Sequence, residues 1–233
     1  MGTAYLIPTF LYDNNYESLP LYVLNTIKTC THFFVENEKT TRRFFKGWDK
    51  TIEIIPENWF VIHKNEEQVL QQLTTLIKEG KNIGIVSEAG CPGIADPGQV
   101  LVKKVQELGG KVKPLVGPSS ILLALMASGM NGQQFQFNGY LPIETSERKK
   151  KLIQLEEYSR RNNCSQIFIE TPYRNNQLIK EITQTCNNHT LFCIATNITA
   201  PNESIVTKTI AEWKKGLPDI HKQLSIFIIH AEN

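Results

Sequence analysis

The sequence of 233 residues has no paired cysteines, no metal-ligand spacing and no long apolar run. Its five cysteines include no C-x-x-C pair, so neither a zinc site nor a disulfide framework is predicted, and we expect reduced thiols in a cytoplasmic protein. Its five histidines show no metal-ligand spacing, and we expect no metal. No apolar run approaches the ~18 residues of a membrane span and no signal segment is recognisable, so we expect no membrane association.

The common nucleotide and hydrolase motifs are also missing. The chain has no G-x-G-x-x-G, no G-x-x-x-x-G-K-[ST] and no G-x-S-x-G, which disfavours Rossmann dehydrogenases, P-loop kinases and serine hydrolases together. The net charge of +2 is too small to identify a nucleic-acid-binding protein, and it does not exclude one.

The most informative stretch runs from residue 83 to residue 120. Residues 83–86 are a short apolar run typical of a buried strand, and the small, polar turn 87–93 follows. Asp96-Pro97 predicts a helix start. A second strand, 112–116, leads into another Gly-Pro turn at 117–120. If the two strands are parallel, both turns lie at the edge where an open α/β sheet binds its ligand.

Several motifs in and around this stretch resemble those of one enzyme superfamily. They are Ser87-Glu88-Ala89-Gly90-Cys91-Pro92, Ile94-Ala95-Asp96-Pro97-Gly98, Gly117-Pro118-Ser119 and Gly139-Tyr140-Leu141-Pro142. They look like the S-D-A-G-T-P-x-I-x-D-P-G, P-G-P and G-F-L-P signatures of the tetrapyrrole-methylase superfamily. The small-subunit ribosomal RNA (cytidine-2′-O)-methyltransferase I branch is the most similar, although that branch commonly continues into a C-terminal segment that this sequence lacks.

The resemblance implies an α/β fold of two domains, with S-adenosyl-L-methionine bound in the inter-domain cleft, and a homodimer. We expect a domain of parallel-type strands over 1–130 and a domain with a mixed sheet over 131–233, because the second half begins with an alternating strand pattern at 134–137. Each domain should contain four to five strands. Within the first domain the residue pattern also predicts a strand over 51–55.

The same resemblance implies which residues bind the cofactor. The first-domain motifs would supply backbone and small side chains, and the second-domain motifs would approach the adenine. The implied set is Pro8, Gly90, Cys91, Pro92, Ile94, Ser119, Ser120, Leu141, Ile169 and Ile198.

A hydroxyl acceptor would require a general base. The candidates are Glu88, Glu36 and Glu170, in that order. Glu36 begins the segment Glu36-Asn37-Glu38-Lys39, where the family has Glu-Asp-Thr-Arg. Its alternative role is to cap a helix over 40–46, because a carboxylate is stabilised at the positive end of a helix. The segment 10–16 also departs from the family pattern.

The basic cluster Arg148, Lys149, Lys150 and Lys151 has two interpretations. Interleaved glutamates such as Glu147 indicate a solvated helix face. Alternatively, the cluster contacts the phosphates of a ribosomal small subunit or its RNA. Because a net charge of +2 can neutralise few phosphates, we expect an assembled subunit rather than naked RNA to be the acceptor.

Two other functions remain open on the sequence. One is C-methylation of a tetrapyrrole or another small molecule. The other is a non-catalytic module that binds the cofactor or RNA, because the segments 10–16 and 36–39 depart from the family pattern.

Overall fold

The computed structural model describes residues 1–232 and divides the chain into two compact units, Met1–Ser119 and Ser120–Asn233. The first unit is built from these elements in order: β1 (Thr3–Ile7), α1 (Leu21–Ile27), β2 (His32–Val35), α2 (Glu38–Trp48), β3 (Trp59–Val61), α3 (Glu66–Lys78), β4 (Asn82–Val86), α4 (Gln99–Glu107) and β5 (Lys111–Pro114). Its sheet has the strand order β3-β2-β4-β1-β5. Every pairing in this sheet is parallel.

This sheet is covered by helices on both faces. Ile83 and Ile85 of β4 pack in one apolar cluster with residues of α3 and α4. Ile7, Val35 and Val86 point to the other face and pack with residues of α1 and α2. A central parallel strand is therefore apolar on both sides, which explains the continuous apolar run that identified it in the sequence.

The strand predicted over 51–55 was wrong. Residues 51–55 are not in a strand, a 3-10 turn begins at Pro56, and the third strand is β3. Trp59 anchors that strand by packing against Phe33 and Phe45 at ring-centroid distances of 5.2 and 5.4 Å. Aromatic and β-branched residues favour strands, but Trp59-Phe60-Val61 is short and follows a proline.

The segment 10–16, which departs from the family pattern, forms part of the core. Phe10 contacts Tyr16 and Phe44 edge to face, with centroids 5.4 and 5.3 Å apart. The hydroxyl of Tyr16 donates to the carbonyl of Phe44 at 3.1 Å. This segment therefore fixes α2 against β1.

The second unit contains a mixed sheet. Its elements are α5 (Ser120–Ser128), β6 (Phe135–Tyr140), α6 (Thr145–Asn162), β7 (Ser165–Ile169), α7 (Asn175–Thr185), β8 (Leu191–Thr196), β9 (Ser204–Thr209), α8 (Ile210–Trp213) and β10 (Ser225–His230). The strand order is β6-β7-β10-β8-β9, in which only β6 and β7 pair in parallel. Five strands in each sheet agree with the predicted four to five.

The division between the units differs from the boundary predicted at residue 130. Helix α5 precedes that boundary, yet it packs on β9 and β10 of the second unit. The hydroxyl of Thr207 also donates to the carbonyl of Ser128 at 2.8 Å. No helix within residues 1–232 is both long and apolar enough to span a bilayer.

Candidate active site

Three loops of the first unit meet at the carboxyl edge of its sheet. After β1, the amide of Thr9 donates to the carbonyl of Gly90 at 3.0 Å, and its hydroxyl donates to the carbonyl of Ser87 at 3.2 Å. After β5, the chain passes so close to β1 that a Cβ added to Gly117 would lie 2.2 Å from Cβ of Pro8. The predicted meeting of the two Gly-Pro turns is thus confirmed at the carboxyl edge of the sheet.

The loop between β4 and α4, residues 87–98, adopts left-handed backbone conformations at Gly90, Gly93 and Ala95, with φ of 75°, 81° and 55°. A Cβ added to Gly90 would lie 3.2 Å from the carbonyl oxygen of Pro118. Small residues therefore allow this loop to pack closely against the loop after β5.

Cys91 lies in the same loop, and its side chain is a protonated thiol rather than a nucleophilic thiolate. Its Sγ atom lies 3.4 Å from the carbonyl oxygen of Pro118 and 3.6 Å from that of Gly117. Burial raises the pKa of the Cys91 thiol, so it stays protonated at neutral pH and donates weakly to these carbonyls.

Asp96 organises the loop 87–98, although the sequence indicated only a helix start. The helix α4 begins at Gln99 after an N-cap at Gly98, so Asp96 lies before the cap. Its Oδ1 atom accepts hydrogen bonds from the amides of Gly93 and Gly98 at 3.1 and 2.5 Å. In the sequence, only the position of Asp96 inside the central motif indicated that it does more than start a helix.

Glu36 follows β2 and faces the same loop. Its Oε1 atom accepts from the amide of Glu88 at 2.8 Å and from the hydroxyl of Ser87 at 3.4 Å. Burial, followed by a hydrogen bond with the Asp96 carboxyl group, raises the pKa of Glu36 to about 7.

The interpretation of Glu36 as a helix cap was wrong. Asn37 caps α2, because its Oδ1 atom accepts from the amides of Lys39 and Thr40 at 3.0 and 3.3 Å. An asparagine caps a helix as well as an aspartate does. The change from the family's aspartate therefore leaves α2 capped and leaves Glu36 free for another role.

The other two candidate bases differ sharply. Glu88 is exposed beside Glu36, and its Oε1 atom accepts from the hydroxyl of Thr40 at 3.5 Å. Glu170 lies in the second unit with a side chain that is 2% exposed, and Arg174 holds its carboxylate at 2.6 Å. The amide of Thr171 also donates to it at 2.6 Å. Glu170 thus stabilises the turn before α7, and its selection as a base is corrected.

A cavity of about 560 Å³ opens beside Glu36. It contains cations from α2 and from the segment after β3, together with two acids; its lining residues are Glu36, Asn37, Glu38, Lys39, Arg42, Val61 and Lys64. A cavity with a raised-pKa carboxyl group and several cations suits an anionic acceptor. Within residues 1–232, no three potential metal-ligating side chains lie close enough to hold a metal ion.

The residues implied for cofactor binding are divided between the units. The first unit contains Pro8, Gly90, Cys91, Pro92, Ile94 and Ser119, of which Ile94 is 57% exposed. The second contains Ser120, Leu141, Ile169 and Ile198. The side chain of Leu141 lies in the apolar core of its unit, so only its backbone is available to a ligand.

The basic cluster is not uniform. Arg148 is 3% exposed, and its guanidinium donates two hydrogen bonds to Glu181, at 2.6 and 2.8 Å. Two further hydrogen bonds go to the carbonyls of Pro142 and Ile143, at 3.0 and 2.5 Å. Arg148 therefore cannot contact RNA, and that prediction is corrected. Lys149 and Lys150 are exposed on α6.

Solved structures define the class of this fold. The chain is similar to diphthine synthase, with 13% identity and a TM-score of 0.70 over 99% of this chain and 90% of that one. It is also similar to the methyltransferase CobJ, with 15% identity and a TM-score of 0.61 over 99% and 95% of the two chains. These proteins have the tetrapyrrole-methylase fold, and at such identities the likeness concerns the fold alone.

Curated relatives give the particular family, although no family model matches the chain. It is 31% identical over 209 residues to ribosomal RNA small subunit methyltransferase I of Vibrio cholerae, covering 89% of this chain and 69% of that protein. The protein of the same name from Buchnera aphidicola subsp. Schizaphis graminum is 31% identical over 231 residues, covering 98% and 78%. The chain belongs to the ribosomal RNA small subunit methyltransferase I family and is an S-adenosylmethionine-dependent methyltransferase.

Proposed function

We propose that this chain transfers a methyl group from S-adenosylmethionine to a 2′-hydroxyl of RNA in the small ribosomal subunit. The observation that carries this proposal is the 31% identity to ribosomal RNA small subunit methyltransferase I over 89% of the chain. The raised pKa of Glu36 beside an open cavity supports a hydroxyl acceptor, because a hydroxyl must lose its proton during transfer.

The loop 87–98 fits a cofactor that is held mainly by backbone groups. A ligand can approach it closely, since nothing lies within 4 Å of the position that a Cβ on Gly93 would occupy. The exposed side chain of Ile94 offers apolar contact. When bound, the cofactor supplies an electrophilic methyl group, so the residues of the loop need only position it and exclude water.

On the acceptor side, Glu36 takes the hydroxyl proton. Lys39, Arg42 and Lys64 line the same cavity and stabilise the phosphates that flank the acceptor nucleotide. Lys149, Lys150 and Lys151 of α6 contribute further phosphate contacts. Because the net charge is only +2, binding to naked RNA is weak and strongly salt-dependent, and the assembled small subunit is the acceptor.

The protein acts as a homodimer in this proposal. Light scattering at micromolar concentration should give twice the 26.5 kDa of one chain. A mass of one chain would contradict the dimer without affecting the assignment of the acceptor.

Methyl transfer to three acceptors tests the function. Small subunits that lack the modification, naked RNA of the same sequence and a tetrapyrrole precursor are each incubated with the protein and methyl-labelled cofactor. We expect label in the small subunit alone at physiological salt. Transfer to naked RNA that persists in high salt would contradict the requirement for the assembled subunit, and transfer only to the tetrapyrrole would overturn the RNA substrate.

A further inference from the structure

Two carboxyl groups meet where β2 ends and the loop 87–98 passes. The carboxyl groups of Glu36 and Asp96 lie close enough to interact, and this interaction raises the pKa of Glu36. The Oε1 atom of Glu36 is already engaged, because the amide of Glu88 donates to it at 2.8 Å and the hydroxyl of Ser87 lies 3.4 Å away.

The two oxygens of Asp96 have different environments. Oδ1 accepts from the amides of Gly93 and Gly98. Oδ2 is buried and, within residues 1–232, meets no N–H or hydroxyl donor. A protonated Glu36 supplies the missing donor, whereas two ionised carboxylates at hydrogen-bond distance repel each other. The proton belongs to Glu36, because the two amides stabilise the negative charge of Asp96.

The charged groups around the pair favour the protonated form of Glu36 in part and oppose it in part. Glu88 faces the pair from its own loop, and its charge and that of Asp96 both favour the protonated form of Glu36. Cations that share the cavity favour the ionised form, and one of them is already paired, since Arg42 binds Glu38. The charged groups around the cavity are Glu38, Lys39 and Arg42 of α2 and Lys64 after β3.

We propose that Asp96 is a positioning residue for methyl transfer, whose carboxylate holds the Glu36 side chain at the edge of the cavity through one shared proton. The catalytic half of this inference rests on the proposed function. The shared proton rests on the geometry of the protein alone.

Glu36 first releases its proton to solvent. The acceptor oxygen then forms a bond to the methyl carbon while the bond between that carbon and the sulfonium sulfur breaks. The hydroxyl proton passes to Glu36, which regains its hydrogen bond to Asp96, and S-adenosylhomocysteine is the leaving group.

Two conservative substitutions separate the role of Glu36 as a base from the role of Asp96 as a positioning residue. Glu36→Gln imitates the protonated acid, because the amide nitrogen donates to Asp96 while the amide oxygen still accepts from Glu88. Asp96→Asn keeps an oxygen for the amides of Gly93 and Gly98, and its amide nitrogen donates to an ionised Glu36. Both variants preserve the hydrogen bond and should fold. Glu57→Gln, an exposed site on the same unit, is the matched control for the change of charge.

The shared proton is tested without cofactor or acceptor. Carbon-13 NMR of a protein labelled at its glutamate carboxyls gives the pKa of Glu36, whose resonance is assigned by its absence in Glu36→Gln. We expect a pKa of about 7 in the wild type and in Glu57→Gln, and a clearly lower value in Asp96→Asn, in which burial still raises the pKa but the amide of the new side chain favours the ionised form. An ordinary glutamate pKa in the wild type, or no change in Asp96→Asn, would overturn the pair.

The pH dependence of methyl transfer tests the catalytic half. In the wild type, kcat/KM should rise with pH to a plateau with a midpoint near the measured pKa, and Asp96→Asn should move that midpoint to lower pH. Glu36→Gln should lose about 10²- to 10⁴-fold in transfer while still binding S-adenosylhomocysteine in calorimetry. Full transfer by Glu36→Gln would overturn its role as base. If the wild type transfers to no acceptor, the proposed function fails, and the NMR titration still decides the shared proton.

Discussion

Gly90 and Gly93 allow the cost of a close backbone approach to be measured separately from the cost of a left-handed conformation. Both have positive φ, so alanine at either position should lose about 1–2 kcal/mol from backbone strain. Only Gly90 also meets neighbours, with Pro118 and Leu11 each 3.2 Å from an added Cβ. We expect Gly90→Ala to be the less stable variant by urea unfolding. Equal losses would show that the neighbouring loop moves away without cost.

Arg148 should matter for stability rather than for RNA. Removing it would leave the carboxylate of Glu181, which is 10% exposed, buried without its partner. Breaking a buried ion pair costs about 3–5 kcal/mol, so Arg148→Ala should lose about that much by chemical unfolding. Lys149→Ala, one position further along α6, should change stability by no more than about 0.5 kcal/mol. A neutral Arg148→Ala would contradict the buried pair.

The residues of the site were predictable only where a motif carried them. The glycines and Cys91 followed from the central motif, and Glu36 from a partly altered one. The pairing of Glu36 with Asp96 was not predictable, because 60 positions along the chain separate them and only the parallel order of β2 and β4 brings them together. The burial of Arg148 was hidden because four consecutive basic residues conceal which one faces inward on a helix.

Among the elements, α5 determines where the second unit begins. Ala124, Leu125 and Ser128 are buried, and the helix packs on β9 and β10. We expect a fragment of residues 120–233 to unfold cooperatively. A fragment of residues 131–233 lacks α5, exposes the apolar surface that α5 covers on β9 and β10, and should unfold without cooperativity. Circular dichroism during thermal unfolding checks this. Equal cooperativity in the two fragments would favour the boundary predicted at residue 130.

Strands and helices differed in how well the sequence indicated them. β4 was recognisable because both faces are buried and the run is continuously apolar. β3 was missed since three residues give no period, while the isoleucines of 51–55 produced a false strand signal; Ile52 is buried as a loop residue. Sequence patterns report burial more directly than they report hydrogen bonding between strands.

For the whole molecule, Glu36 in the first unit and Glu181 in the second should make contributions to stability that change with pH in opposite directions. The folded pKa of Glu36 lies above its ordinary 4.5, so its contribution to stability is complete below 4.5 and is lost as pH rises through about 7. Arg148 lowers the pKa of Glu181, so that contribution is present above its unfolded pKa and is lost as pH falls through the folded value.

Tryptophan fluorescence can separate these responses. Trp48 and Trp59 report on the first unit and Trp213 on the second. In thermal unfolding, Glu36→Gln should change the pH dependence of the first-unit signal alone, which should fall less steeply than in the wild type as pH rises from 4.5 to about 7. Burial lowers the pKa of His32 in the same unit, and its opposite contribution remains in both proteins. Glu181→Gln should weaken the acid dependence of the second-unit signal alone. Equal first-unit pH dependence in the wild type and in Glu36→Gln would contradict the raised pKa of Glu36.

The identity of the methylated nucleoside tests the central claim most directly. Small subunits labelled by the protein and methyl-labelled cofactor are digested to nucleosides, which are separated and identified by mass spectrometry. The proposed function predicts that the label resides in a 2′-O-methylated nucleoside, and that Glu36→Gln produces little of it. Label in a base-methylated nucleoside, or small subunits that acquire no label, would contradict methyl transfer to a ribosomal 2′-hydroxyl.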